Sequence, residues 1–177
     1  MRPLLLLLAL IAVLALGACG DDDDSDTCGG GGTDTETETA EEPSPSAQRE
    51  ALKDTSTKPV IHKPTGSPPR RLVKEDIVKV KGAPSKPGVT LIVHYAGVTF
   101  STGEEFDSSW DAGQPFPVQV GAGQVIQGWD RGLVGVRKGG RRMLTIPPEL
   151  GYGAEGSPPA IPPNETLVFV VDVLDIQ

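Results

Sequence analysis

All eight aromatic residues of this 177-residue chain lie between positions 95 and 169: Tyr95, Phe100, Phe106, Trp110, Phe116, Trp129, Tyr152 and Phe169. Aromatic side chains bring the largest apolar area per residue, so only that part of the chain can build a substantial core. Upstream the composition is the opposite. Residues 20–57 (GDDDDSDTCGGGGTDTETETAEEPSPSAQREALKDTST) hold Leu52 as their one large aliphatic or aromatic residue. Such a segment has too little apolar surface to offset the entropy lost on ordering, and it is expected to be disordered. Charge divides at the same place. The chain carries 16 Lys+Arg and 24 Asp+Glu, a formal charge of −8. Residues 19–57 contribute 12 acids and 2 bases (−10), residues 58–177 contribute 13 bases and 12 acids (+1), and Arg2 supplies the remaining +1. A near-neutral folded part has no electrostatic footprint for nucleic acid, and no nucleic-acid partner is expected.

Residues 1–18 read as a secretion signal. Arg2 precedes an unbroken apolar run from Leu4 to Leu16. A membrane-spanning helix needs about 20 such residues, so this run is too short to stay in the bilayer and suits the apolar core of a signal peptide. It ends on Leu16-Gly17-Ala18-Cys19, which resembles a bacterial lipobox. The expectation is a lipid on Cys19 and a protein anchored to the cell membrane on its extracytoplasmic face. The acidic tract 19–57 then reads as a tether, and 38 coiled residues from 20 to 57 would span roughly 30–40 Å. With Cys19 lipidated, Cys28 has no partner for an internal disulfide. The Asp21–Asp24 run has no fixed coordination geometry on a coil, so no metal site is expected there. Residues 58–72 (KPVIHKPTGSPPRRL) carry Pro and mixed polarity, and read as an extended lead-in that packs along the domain.

From Val73 to Gln177 short β-rich runs alternate with Pro and Gly. The runs are Ile77–Val80, Leu91–Thr99, Val118–Val120, Arg141–Ile146 and Thr166–Ile176. In the last, Leu167, Phe169, Val171 and Val173 share one face by period two, and Asp172 marks the other. Helical spacing occurs once, with Ile126, Trp129 and Leu133 inside Val125–Val134. The expected class is α+β: an antiparallel sheet that buries one face by laying it on a short helix. The domain has no Cys, and its histidine candidates are His62 in the lead-in and His94 on a strand. Nucleophilic catalysis and metal binding therefore lack their ligands, and no cofactor is expected. Gly121-Ala122-Gly123 is incomplete as a dinucleotide fingerprint and has no βαβ unit around it. Aromatic and aliphatic residues around a few polar groups suit work on an apolar group.

Five segments occur in a fixed order: Val93-His94-Tyr95-Ala96-Gly97, Phe106-Asp107-Ser108-Ser109, Val125-Ile126-Gln127-Gly128-Trp129, Tyr152-Gly153-Ala154 and Ile161-Pro162-Pro163-Asn164-Glu165-Thr166-Leu167-Val168-Phe169. Their order and spacing resemble the FKBP-type (tacrolimus-binding) peptidyl-prolyl cis-trans isomerases over residues 73–177. The resemblance implies a five- or six-stranded antiparallel sheet wrapped around one short helix. It implies rotation of Xaa-Pro bonds in exported protein clients, inhibition by macrolides of the tacrolimus and rapamycin type, and a monomer. It assigns catalytic positions to Asp107, Tyr152, Trp129 and Phe106, with Trp129 as the pocket floor. Substrate-binding positions fall on Tyr95, Phe116, Val125, Ile126, Ile161 and Phe169. The chain also departs from the family. Ala112 stands where many members pair an Arg with the pocket Asp, Ser157 replaces a frequent His and Ala160 a frequent Ile. The alternative reading is a module or holdase that binds prolyl segments without catalysis.

Overall fold

The longest strands set the architecture. In a computed structural model that describes residues 44–177, β2 (Thr90–Thr99) and β6 (Leu167–Ile176) pair antiparallel along almost their whole length. Beyond β6 come β5 (Arg141–Ile146) and then β1 (Val73–Val78). The far edge of β2 is shared. Its first half pairs with β4 (Phe116–Gln119) and its second half with β3 (Glu105–Ser108). The sheet thus has six strands, all antiparallel. The boundaries differ from the sequence expectation where local pattern is weak. β1 begins at Val73 rather than Ile77, β4 is displaced toward Phe116, and β3 has too few apolar residues to be visible as a run.

The helix α2 spans only Gln127–Gly132, shorter than the Val125–Val134 suggested by its apolar spacing. It lies very close to β5. A side chain on Gly128 would sit 2.6 Å from Ile146 Cδ1, and one on Gly132 would sit 2.8 Å from Leu144 Cδ1. Glycine is needed at both places for that approach. Arg142 caps the carboxyl end, donating to the carbonyls of Gly132 at 2.8 Å and Val134 at 3.0 Å and to Asp76 Oδ1 at 2.6 Å. The core fills the space between helix and sheet with Leu91, Val93, Leu133, Leu144, Ile146, Leu167 and Val171, all fully buried.

The opposite face of the sheet is buried as well, against the one-sided expectation. Every residue of β6 from Leu167 to Val173 is buried, and Asp172 is 2% exposed. The cover comes from the segment expected to be disordered. Residues 44–57 are ordered: Ser44 caps a short helix, α1 (Pro45–Ala51), with its hydroxyl accepting from the Ala47 amide at 3.4 Å. Ser at the cap and Pro in the first turn are a helix start. A helix of seven residues is marginal alone. It is held because Leu52, at its end, is buried to 6% exposure. Composition led to an expectation of disorder here because it does not encode the apolar surface that Leu52 meets.

What that segment completes is an arginine. Arg141 is 1% exposed and forms a two-pronged ion pair with Asp172, its neighbour across the β5–β6 ladder. Its remaining donors reach the carbonyls of Leu52 at 2.8 Å, Asp54 at 2.7 Å and Thr57 at 3.2 Å. Burial pushes the Asp172 carboxyl up, and the Arg141 hydrogen bonds and charge offset part of that rise. The lead-in from residue 58 continues along the domain as expected. Pro59 is buried, and the Lys63 backbone packs so close to Gly103 that a Cβ there would lie 2.8 Å from Lys63 Cα. The expected signal peptide, Cys19, the Asp21–Asp24 run, Cys28 and the expected tether as far as residue 43 lie outside the described residues.

Docking of residues 44–57 has a measurable consequence. Leu52→Ala is expected to lower stability by about 2 kcal/mol, as for other truncations of buried leucines. For a domain of this size that is a fall of roughly 5 °C or more in the thermal midpoint. An unchanged midpoint would return the segment to the role of a spacer.

Candidate functional site

Successive residues of a strand alternate between faces, and Tyr95 and Phe169 both point to the α2 side of the sheet. Across the β2–β6 ladder Tyr95 stands opposite Val171 and Gly97 opposite Phe169, so the two rings are diagonal neighbours, 6.3 Å apart. Trp129 comes up from the first turn of α2 and is 4% exposed. Its ring meets Tyr95 edge-on at 5.1 Å and Phe169 edge-on at 5.2 Å. Phe106, from β3, meets Phe169 edge-on at 5.4 Å, and Phe116, from β4, meets Tyr95 at 5.9 Å. These edge-to-face contacts suit the ring quadrupoles and hold the rings in fixed orientations. The result is a bowl of about 480 Å³, open to solvent. Trp129 and Phe169 are its buried base, while Phe116 and Tyr152, 40% and 41% exposed, stand on its rim.

One carboxylate faces this bowl. Asp107 Oδ2 accepts a hydrogen bond from the Tyr95 hydroxyl at 2.7 Å. Burial, then the Asp107 hydrogen bond and charge, push the Tyr95 phenol well above its usual range, so it stays a donor at any physiological pH. The missing arginine at Ala112 therefore does not leave Asp107 unheld. Tyr95, on the neighbouring strand β2, fixes one of its oxygens. The other wall is the loop before α2. Asp130 accepts from the amides of Gly121 at 2.9 Å and Gly123 at 2.8 Å, which fastens that loop to the helix. At the loop's end the Ile126 amide donates to no described residue and so remains available to a carbonyl in the bowl.

Nine of the ten residues expected to line a pocket do so: Tyr95, Phe106, Asp107, Phe116, Val125, Ile126, Trp129, Tyr152 and Phe169. Ile161 does not. It is 4% exposed, packed into the core cluster, and its backbone closes a two-way bridge with Ser157. Gly123 and Gln124 line the bowl without having been expected. Their only sequence signal was the Gly121-Ala122-Gly123 run, and both glycines there take positive φ, 76° and 70°. Ser157 and Ala160 are exposed in the neighbouring loop. His94 plays the structural part expected of a lone strand histidine: Nδ1 lies 2.9 Å from Ser109 Oγ and the ring stacks on Trp110 at 4.4 Å. Among the described residues no cluster of His, Cys, Asp or Glu could hold a metal ion.

Comparison with known proteins agrees with this geometry. Residues 81–174 match a family model described as FKBP-type peptidyl-prolyl cis-trans isomerase. An FK506-binding protein of Streptomyces anulatus is 50% identical over 120 residues, 67% of this chain and 97% of that protein. The peptidyl-prolyl cis-trans isomerase FKBP2 of Mus musculus is 52% identical over 93 residues, 52% of this chain and 66% of that protein. The crystal structure of AtFKBP13 superposes with a TM-score of 0.56 at 34% identity, covering 60% of this chain and 93% of that one.

Gly97 offers a direct test of how tightly the bowl is built. A Cβ there would lie 2.7 Å from Phe169 Cε1 and 2.8 Å from Phe106 Cζ. Gly97→Ala must displace both rings, at a cost of about 1–3 kcal/mol. The expected readout is a lower thermal midpoint together with altered near-ultraviolet circular dichroism.

Proposed function

The chain belongs to the family of FKBP-type peptidyl-prolyl cis-trans isomerases, and from that premise we propose that the bowl over Trp129 is where its Xaa-Pro bonds are rotated. The observation that carries the assignment is the closed set of edge-on aromatic contacts around a single rim carboxylate. Rotation about a peptide C–N bond crosses a barrier of about 18–20 kcal/mol because it breaks amide resonance. No covalent bond to the substrate forms, so neither a nucleophile nor a cofactor is required. Each 1.4 kcal/mol removed gives about tenfold in rate.

The task of the site is to favour the twisted amide over the planar one. Planar amide resonance puts charge on oxygen and nitrogen, and water stabilises that charge. A prolyl ring resting on Trp129, with Phe106 and Phe169 around it, leaves the rotating bond among rings that offer no such stabilisation. Asp107, held on one oxygen by Tyr95, presents its other oxygen to the bowl and acts on the carbonyl group as it turns. The Ile126 amide and the Tyr152 hydroxyl take the carbonyls of the bound chain and fix its direction. Tyr95, Phe116, Val125 and Phe169 shape the ring's seat, and Ile161 supports it from the core. Small side chains at Ser157 and Ala160 widen the rim and admit a broader range of residues before proline. The binding-only alternative rested on the absent arginine. With Ala112 in that place Asp107 still accepts from the Tyr95 hydroxyl, so the carboxylate keeps a fixed orientation and rotation is the reading the site supports.

A protease-coupled assay on a short Xaa-Pro peptide tests the assignment. Asp107→Asn is expected to lower turnover more than affinity. Tyr152→Phe is expected to cost on the order of 1 kcal/mol, mostly in binding. Tacrolimus should compete with the peptide. Full activity in both variants, with no competition, would place the chemistry elsewhere.

The location of this activity is a second part of the reading. Leu4–Leu16 followed by Leu16-Gly17-Ala18-Cys19 supports export and lipidation on Cys19, giving an isomerase held at the extracytoplasmic face of the cell membrane. No described helix is long and apolar enough to cross a membrane. Buried lipid contributes about 0.8 kcal/mol per CH₂, so two or more acyl chains hold firmly. Labelled palmitate should enter the wild type and not Cys19→Ala, and the variant should leave the membrane fraction. Unlabelled, wholly soluble wild type would end the anchor reading.

A further inference from the structure

The segment from Glu105 to Asp111 carries two residues of the bowl, Phe106 and Asp107, and the sheet holds it weakly. β3 pairs with β2 through Ala96–Ser108, Gly97–Asp107 and Val98–Glu105 only, with an irregularity between the last two. No described strand lies beside its other edge. After Ser108 the chain leaves the sheet. At the two ends of this segment stand two carboxylates, Glu105 and Asp111, and both meet the same ammonium. Lys58 Nζ donates to Glu105 Oε1 at 2.7 Å and to Asp111 Oδ2 at 2.6 Å. The lysine does not hang from a free chain. The preceding carbonyl, Thr57, accepts from buried Arg141, and the following residue, Pro59, is buried.

The charges make the arrangement one-way. Hydrogen bonds to Asp111 and Glu105 raise the Lys58 ammonium above its usual range, and the Lys58 bond holds the Asp111 carboxyl below its own. Both carboxylates accept from the same ammonium, so removing it leaves two like charges near each other with no cation between them. They would push the ends of the segment apart. Lys58 touches neither the bowl nor Asp107, so any effect must pass through the position of this segment.

We propose that Lys58 is a positioning residue of the isomerase, its ammonium clamping the two ends of segment 105–111 and so setting where Phe106 and Asp107 stand. This rests on the bowl being the reacting site. It makes residues 45–58, a strap that runs from α1 across Arg141, a working part of the enzyme, and it places a cation beside the segment that ends next to Ala112. A partly exposed ion pair contributes at most about 1 kcal/mol to stability. Misplacing a reacting group by about 1 Å can cost far more in rate, up to about a hundredfold. The signature is therefore an activity loss out of proportion to the stability loss.

The test uses the full chain in the peptide assay, well below the thermal midpoint. Lys58→Ala is expected to lower kcat/KM about fivefold with a midpoint shift of no more than about 3 °C. Lys58→Arg should restore at least half of the activity. Asp111→Asn should share the loss, and the double variant with Lys58→Ala should be no worse than Lys58→Ala alone. Raising salt should bring the wild type toward Lys58→Ala, because the pair is partly exposed. Lys53→Ala, on the same strap but paired with Glu50, should leave activity unchanged. An unchanged kcat/KM in Lys58→Ala overturns the proposal, as do additive losses in the double variant. Asp107→Asn, run in parallel, separates the failures: if it loses turnover while Lys58→Ala does not, only the clamp is wrong, and if it keeps full turnover the site itself is wrong.

Discussion

A guanidinium has five N–H donors and no way to shed its charge, so an arginine buried to 1% exposure must find an acceptor for each of them. Arg141 does. Two donors go to Asp172 and three to the carbonyls of Leu52, Asp54 and Thr57. Leaving such donors unpaired in the interior costs about 1–3 kcal/mol each, and more next to a charge. The strap is thus required by the strand beneath it. The sheet cannot keep this ion pair dry unless residues 52–57 lie across it.

That single site gives the sheet two occupied faces with different tasks. On the inner face α2 approaches β5 closely enough to need Gly128 and Gly132, and the space left beside it is the aromatic bowl. On the outer face the strap runs from α1 over Arg141 to Lys58. The two faces meet at β3. Lys58 fastens the outer side of segment 105–111, while Tyr95 fastens Asp107 from the inner side. A rim carboxylate that lacks its usual arginine is held by a tyrosine on one side, and on the other the ends of its segment are pinned by a lysine from the strap.

Much of this was legible in the residues themselves. The period-two pattern of Leu167, Phe169, Val171 and Val173 gave a strand and its inner face, and the ordered aromatic motifs gave nine of the ten expected lining residues. β3 was not legible, because Glu105-Phe106-Asp107-Ser108 has one apolar residue and pairs only at an edge. Ile161 was misplaced because an aliphatic side chain fits a core and a pocket wall equally well by type.

The sequence by itself determined where a core could form and how its strands alternate, because those properties repeat over neighbouring residues; which rings gather around Trp129 was legible only through the resemblance of its ordered motifs to a known family. Only the tertiary structure decided that residues 44–57 are ordered and that Asp172 is buried. Arg141 meets its strap carbonyls across 84 to 89 positions, and Lys58 meets its carboxylates across 47 and 53. No local period encodes such pairings. A polar residue on a strand reads as solvent-facing until the partner that covers it has been placed in space.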